Sequence, residues 1–377
     1  MSPREGADDL LIVAGEASGD KHAADLLEIL RLRRPALRPF GLGGDRLAAA
    51  GLERLADSSE ISVVGITEVL KVLPRARQIF DQLLAEVDRR GARTALLVDF
   101  PDFNLRLAKA LNKRGVRVVY YVSPQVWAWR RGRIKTIERV VDQMLVLFPF
   151  EQEFYRDHGV AAIHVGHPVV DQVPEVARPQ RAPSAACRIC LLPGSRRGEI
   201  RKHLAVMGEA AVLLAGEMKL EVSWIVASEI DPDEFAGLLP PELAVEQVTA
   251  DRFEVIAGAD LALCASGTAT LEVGLLATPM IVIYRVSRLT GWLGRALIRL
   301  PFISLVNLVF GRLLVPELLQ GDANAAGIAS CAGELLRDRE RLQTISRELA
   351  TLRGRLGAGG ASERAAEVVD GELERTG

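Results

Sequence analysis

A chain of 377 residues with 49% hydrophobic and 25% charged residues has the make-up of a soluble globular protein with material for two cores. A formal net charge of −2 excludes nucleic-acid binding by bulk charge, and no apolar run is long enough to span a membrane. Four scattered cysteines exclude a disulfide framework, the lone Cys187-x-x-Cys190 pair has no second pair to complete a zinc site, and residues 1–9 carry no apolar signal core. The expected location is the cytoplasm, or the cytoplasmic face of a membrane.

The first element is the apolar run Leu10–Ala14, a strand, followed by Gly15-Glu16-Ala17-Ser18-Gly19-Asp20 and a helical pattern. A phosphate cradle needs backbone N–H groups and a positive helix end, which Glu16 and Asp20 oppose. The turn also lacks G-x-G-x-x-G, which disfavours an oxidoreductase. These acids are expected to meet hydroxyls or an amide of a substrate, with the Gly19 backbone approaching closely. Further on, Ile66, Val69, Leu70 and Leu73 form an i, i+3, i+4, i+7 stripe that reads as core or as a membrane-contact face. Strand Ala95–Val98 ends in Asp99, with Asp102 at the start of the next helix, where it reads as a cap. Strand Val116–Val122 ends in Ser123-Pro124, before Trp127 and a cluster of arginines, and strand Met144–Leu147 follows. Between Asn104 and Arg139 stand ten basic residues and one acid, Glu138. Such a region suggests specific anionic contacts, with solvated helix faces as the competing reading.

Residues 171–188, with three prolines, read as a linker. Strands Ile189–Leu192, Val222–Val226, Leu261–Cys264 and Met280–Ile283 alternate with helices after it, so each half is expected to hold a parallel sheet covered on both faces. The expected fold is α/β: two doubly wound, Rossmann-like domains facing across a cleft, with ligands at the carboxyl ends of the strands. The expected domains are 1–172, 186–345, and a tail of 346–377 that packs back on the first. Gly194, Ser195 and Arg196 directly follow a strand, and a guanidinium there suits bidentate phosphate binding. Ser266, Gly267 and Thr268 follow another strand, with Ser266 placed to cap the next helix. Glu272, one turn on, is placed to accept two hydrogen bonds from a ribose diol. Together these residues read as a nucleotide-diphosphate site. The segment 286–300 puts Arg295 and Arg299 on one helical face beside Trp292, with leucines on another, a pattern that fits an anionic membrane surface.

The stretches VAGEASGD, VDFPDFN, YYVSPQVWAWR, LFPFEQEFY, VGHPVVD, LLPGSRRGEI, ASGTATLE and SLVNLVFGRLLVPELLQ follow one another from Val13 to Gln320. In that order they closely resemble the lipid-A-disaccharide synthases, GT-B glycosyltransferases of Gram-negative bacteria. The resemblance implies transfer of 2,3-diacylglucosamine from its UDP derivative to the phosphorylated glycolipid 2,3-diacylglucosamine 1-phosphate, giving a β-1,6-linked disaccharide 1-phosphate and UDP. It carries functional expectations onto Glu16 and Ser18 as substrate-binding residues, onto Asp99, and onto Arg196, Ser266, Gly267, Thr268, Glu272, Asn307 and Gln320 as binders of the UDP donor. His22, Phe100 and the Val of SLVNL depart from the pattern. Asp99 is the expected base, and Arg196 with the Ser266–Thr268 helix end the expected leaving-group site. Gly15, Gly19, Asp20, Asp102, Ser123 and Trp127 are expected to border the acceptor. No D-x-D pair lies near the nucleotide residues, so neither a cofactor nor an obligatory metal is expected. An anionic membrane surface is the expected further partner, and a homodimer is compatible with the sequence. The alternatives are another UDP-sugar enzyme, a peptidoglycan-precursor transferase or a 2-epimerase, and a non-catalytic UDP-sugar-binding module.

Overall fold

The apolar runs assemble into two parallel sheets, one in each half of the chain. The computed structural model describes residues 8–61, 66–127, 131–176, 186–285 and 302–376, with side chains from Val72 onward in the helix Ile66–Arg90. The first sheet contains β1 (Asp9–Ala14), β2 (Arg38–Gly43), β3 (Glu53–Asp57), β4 (Thr94–Val98), β5 (Arg117–Tyr121), β6 (Gln143–Val146) and β7 (Ala162–His164). Its spatial order is β3-β2-β1-β4-β5-β6-β7. The second contains β8 (Cys187–Leu192), β9 (Leu220–Ile225), β10 (Val245–Val248), β11 (Leu261–Ala265), β12 (Met280–Tyr284) and β13 (Glu317–Leu319), in the order β10-β9-β8-β11-β12-β13. The strand β1 pairs in parallel with β2 and β4, and β8 pairs in parallel with β9 and β11. In each sheet the order therefore reverses beside the first strand, the point where open α/β sheets bind ligands.

The sequences DLLIVA, TALLV and LALCA of β1, β4 and β11 are buried along their whole length. Helices cover both faces of these strands, so they read as continuous apolar runs rather than alternating ones. The chain divides into a unit formed by Met1–Pro168 with Gly357–Gly377 and a unit formed by Val169–Leu356. The last helix, Ala361–Thr376, lies against the helix Ala17–Arg33 and strands β4 and β5. It buries Val369 and Leu373 there, and its buried Glu372 accepts from Arg117 Nε at 2.6 Å.

Ile66, Val69 and Leu70 lie outside the described side chains, and Trp292, Arg295 and Arg299 lie outside the described residues. Leu73 is 48% exposed, whereas Val72 packs on the core. Among the described residues no helix is long and apolar enough to cross a membrane.

Two histidines of the first unit, His167 buried and His22 half-buried, have lowered pKa values. His167 is 7% exposed and packs against the Phe148 ring at 5.2 Å. Its pKa is lowered to about 3, first by burial and then by the nearby His22 and His164. Burial, then Lys21, lowers that of His22 to about 4. Above the unfolded value of 6.5 both are neutral, folded or unfolded, and neither affects the pH dependence of stability. Below it the unfolded chain takes up protons that the native chain refuses, so stability falls as pH drops. Each histidine contributes about 1.4 kcal/mol per pH unit until its folded pKa is reached. Chemical denaturation at pH 7 and pH 4.5 is expected to show a smaller loss of stability for His167→Asn than for wild type. An equal loss in both proteins would contradict a neutral buried His167.

Candidate functional site

In the second unit a cavity of ≈ 300 Å³ opens at the carboxyl ends of β8, β9 and β11. Its walls include Gly194, Ser195 and Arg196 after β8, Val226 and Ala227 after β9, and Ser266, Gly267, Thr268 and Glu272 after β11. Of the residues expected to hold a nucleotide diphosphate, all but Asn307 and Gln320 share this cavity. Gly194 is required twice over: its φ is +115°, and an added Cβ would stand 2.8 Å from Glu199 Cβ. Arg196 is the N-cap residue of the helix Arg197–Ala215, and its side chain is 81% exposed. Its ion pair with Glu199, at 3.2 Å, is solvent-screened and weak, so the guanidinium can turn toward an anion.

Ser266 does not cap the following helix. That helix, Ala269–Leu275, has Thr268 at its N-cap, so Ser266 lies two residues too early. Its Oγ instead donates to the carbonyl of Ile303 at 3.3 Å. Asn307 does not face the cavity either. Its Nδ2 donates to the Val315 carbonyl at 2.9 Å and to Glu317 Oε1 at 2.8 Å, and its Oδ1 accepts from Leu314 N and Val315 N. With its amide satisfied inside the protein, Asn307 braces the chain and is not a free ligand. Glu317, which the sequence reading missed, accepts from Ile303 N at 2.8 Å and Ser304 N at 2.9 Å. The pair thereby fixes the carbonyl that orients Ser266. Gln320 takes a left-handed turn, φ 49°, after β13, and its N–H donates to Tyr284 O.

In the first unit Asp99 directly follows β4. Asp99 and Phe100 have φ of 47° and 48°, and Val122, directly after β5, has φ 62°. Each such conformation costs on the order of 1–3 kcal/mol and persists only when its surroundings impose it. The clamp consists of Asp99 N donating to Tyr121 O at 2.9 Å, Asn104 Nδ2 donating to Asp99 O at 2.8 Å, and Tyr120 Oη donating to the same carbonyl at 2.5 Å. Buried Asn104 reaches the Val98 carbonyl as well, at 3.2 Å, so one amide ties the strand end to its turn. Burial, then the charge of Glu16, raises the Asp99 carboxyl to about 6, against a hydrogen bond from the Phe100 backbone that lowers it. Glu16, whose charge reaches it, is exposed, as is Ser18 in the helix that follows, and buried Gly15 lies under the Phe100 ring.

Several residues expected to border the acceptor are engaged elsewhere. Asp20 is buried; its Oδ1 accepts from Gly44 N at 2.6 Å and Leu47 N at 3.3 Å, and its Oδ2 accepts from Arg46 N at 3.1 Å. It caps the helix Asp45–Ala49 from a neighbouring element, which explains the second acid in the opening turn. Gly19 is buried between β1 and β4, where an added Cβ would meet Val98 and Ala14 at ordinary packing distance, so nothing in its surroundings demands a glycine. Asp102 does not cap its helix, whose N-cap residue is Phe100; it forms an exposed ion pair with Arg133. Ser123 Oγ and Trp127 Nε1 donate to Glu151 Oε1 at 2.7 and 3.0 Å, while Leu147 N and Phe148 N donate to its Oε2. Glu151 is 3% exposed, and burial raises its pKa despite these bonds. Its only sequence signal is an acid within the apolar stretch LFPFE.

The family model described as lipid-A-disaccharide synthetase (LpxB) matches residues 10–369. The lipid-A-disaccharide synthase of Myxococcus xanthus (strain DK1622) is 48% identical over 372 residues, covering 96% of each chain. Among solved structures, the calicheamicin glycosyltransferase CalG4 superposes with a TM-score of 0.61 at 16% identity, covering 98% of this chain and 99% of that one. A UDP-GlcNAc 2-epimerase from Neisseria meningitidis, solved bound to UDP-GlcNAc, gives 0.60 at 12% identity, covering 96% and 99%. These structural likenesses show the fold, that of the GT-B glycosyltransferases.

Replacing Asp20 by alanine strips three backbone N–H groups of their acceptor, and loss of such a cap costs about 1–2 kcal/mol. The denaturation midpoint of Asp20→Ala is expected to fall while affinity for UDP stays unchanged. Unchanged stability with a loss of turnover would instead return Asp20 to the substrate.

Proposed function

The chain belongs to the lipid-A-disaccharide synthase family, and we propose that it is an inverting glycosyltransferase whose donor is UDP-2,3-diacylglucosamine and whose acceptor is 2,3-diacylglucosamine 1-phosphate. The observation that carries this reading is the convergence of Arg196, the Ser266–Thr268 turn and Glu272 on one cavity at the carboxyl edge of the second sheet. Arg196 supplies a planar cation for the diphosphate, and Glu272 supplies acceptors for the ribose hydroxyls.

Asp99 is the proposed base. A carboxyl raised to about 6 is ionised at neutral pH yet basic enough to take a proton from an attacking hydroxyl. The acceptor 6-oxygen forms the new bond to the anomeric carbon of the donor sugar as its proton passes to Asp99. The bond from that carbon to the diphosphate oxygen breaks, and UDP departs with the electron pair against the Arg196 guanidinium. Arginine supplies the positive charge that a metal ion would otherwise provide. The acyl chains of both substrates support an anionic membrane surface as a further partner, and the exposed Leu73 is consistent with contact there. The epimerase and binding-module readings are not favoured, since the family assignment is to the disaccharide synthases.

Asp99→Asn keeps the shape of the side chain and removes the base. Turnover of the two lipid substrates, followed by mass spectrometry of the disaccharide product, is expected to fall about 10²–10⁴-fold. Calorimetric affinity for UDP should be unchanged. Near-wild-type turnover would reject Asp99 as the base.

A further inference from the structure

His203 is buried in the helix Arg197–Ala215 and takes no part in the steps above. Its ring stands between two backbone groups that leave it a single neutral form. Nδ1 lies 3.1 Å from the Pro193 carbonyl oxygen, which only accepts, and Nε2 lies 3.3 Å from Arg285 N, whose hydrogen is only donated. The proton is therefore on Nδ1, and Nε2 is the acceptor. Pro193 follows β8 and Arg285 follows β12, two strands separated in the sheet by β11. One side chain thus joins the carboxyl ends of two strands that do not pair with each other. Burial, the largest cause, lowers the pKa of the ring; the Arg285 charge acts the same way, against the Pro193 and Glu199 backbones and the Glu199 carboxylate. The neutral form that both bonds require is thereby favoured, since a second proton on Nε2 would set a donor against the Arg285 N–H.

We propose that His203 is a positioning residue for the donor: through the Pro193 carbonyl it holds the Pro193–Ser195 turn, and with it the start of Arg196, in the shape that receives a diphosphate. This inference rests on the assignment of the cavity to the UDP-sugar donor. A peptide group is planar, with its N–H opposite its C=O. Holding the Pro193 carbonyl on His203 therefore fixes the direction of the Gly194 N–H, at the wall of the cavity. Gly194 has φ +115°, where a glycine has no Cβ to restrain it, so the turn gains its rigidity from a hold outside itself. Arg196 comes two residues later with its side chain 81% exposed, and its aim depends on the backbone from which it projects. A turn held in place beforehand loses little further freedom when the anion arrives, whereas a loose one must be ordered at the expense of affinity.

Side-chain length separates the two bonds experimentally. Asparagine carries its amide nitrogen as many bonds from the backbone as Nδ1, so His203→Asn keeps a donor for Pro193 and gives up Arg285. Glutamine carries its amide oxygen as many bonds out as Nε2, so His203→Gln keeps an acceptor for Arg285 N and gives up Pro193. Titration calorimetry of UDP is expected to place His203→Asn within about threefold of wild type and His203→Gln about tenfold weaker, the worth of one hydrogen bond. His203→Leu, which keeps neither bond, should match His203→Gln; if it does not fold, the Asn and Gln variants alone decide. The KM for the UDP-sugar donor should rise in the same order, with the KM for the acceptor constant. A purely structural role would lower the melting midpoints without separating the UDP affinities. If His203→Gln binds UDP as wild type does, or His203→Asn weakens it as much as His203→Gln, the proposal is overturned while the donor site stands. If wild type binds no UDP, both fall together.

Discussion

The hydrogen bonds that Asn104 and Tyr120 donate to the carbonyl of Asp99 hold that residue in a backbone conformation it would not otherwise keep. The rest of the first unit is arranged around this clamp. Strand β4 is buried on both faces, so its end delivers Asp99 into partial desolvation, and the turn after β1 brings Glu16 close enough to act on it. Burial and a like charge push the carboxyl in the same direction, the one the proposed base requires near neutral pH. Phe100, a departure from the family pattern, lies over Gly15 and donates its backbone N–H to the Asp99 carboxylate. Phe100 therefore touches the proposed catalytic group through its backbone.

The acids around that strand end divide into two kinds by what they touch. Asp20 and Glu151 spend their oxygens on backbone N–H groups and neighbouring side chains, and they hold a helix start and the Ser123–Trp127 turn in place. Glu16 is exposed and makes no such cap, so its charge remains available to perturb Asp99. The second unit repeats the division with different chemistry. Asn307 and Glu317 are internal braces, while Arg196 and Glu272 face the cavity. Asp20, Glu151 and Asn307 are buried with their oxygens engaged inside the protein, whereas the Arg196 side chain is exposed at the cavity mouth.

Much of the fold was legible because central parallel strands are buried on both faces and leave unbroken apolar runs. The strands not anticipated were β2 and the edge strands β3, β7, β10 and β13. The edges are short and half polar, as in VEQV and ERLAD, and β2 is RPFGLG, whose proline and glycines read as a turn. Residues at strand ends were found because position relative to a strand is a local property. Whether a given acid caps a distant helix, as Asp20 does 24 residues away, depends on tertiary contact and leaves no local signal. Glu151 and Glu317 escaped for the same reason: Ser123, 28 residues from Glu151, and Ile303, 14 residues from Glu317, are set beside them by the fold.

The central claim is that Asp99 is a base whose pKa is set by burial and by Glu16. It is tested most directly by the pH dependence of kcat/KM for wild type and Glu16→Gln. Wild type should lose activity as pH falls through about 6, where Asp99 takes up its proton. Removing the neighbouring charge stabilises the ionised form, so the acidic limb of Glu16→Gln should move to lower pH. A limb that stays in place, or that moves to higher pH, would contradict the account.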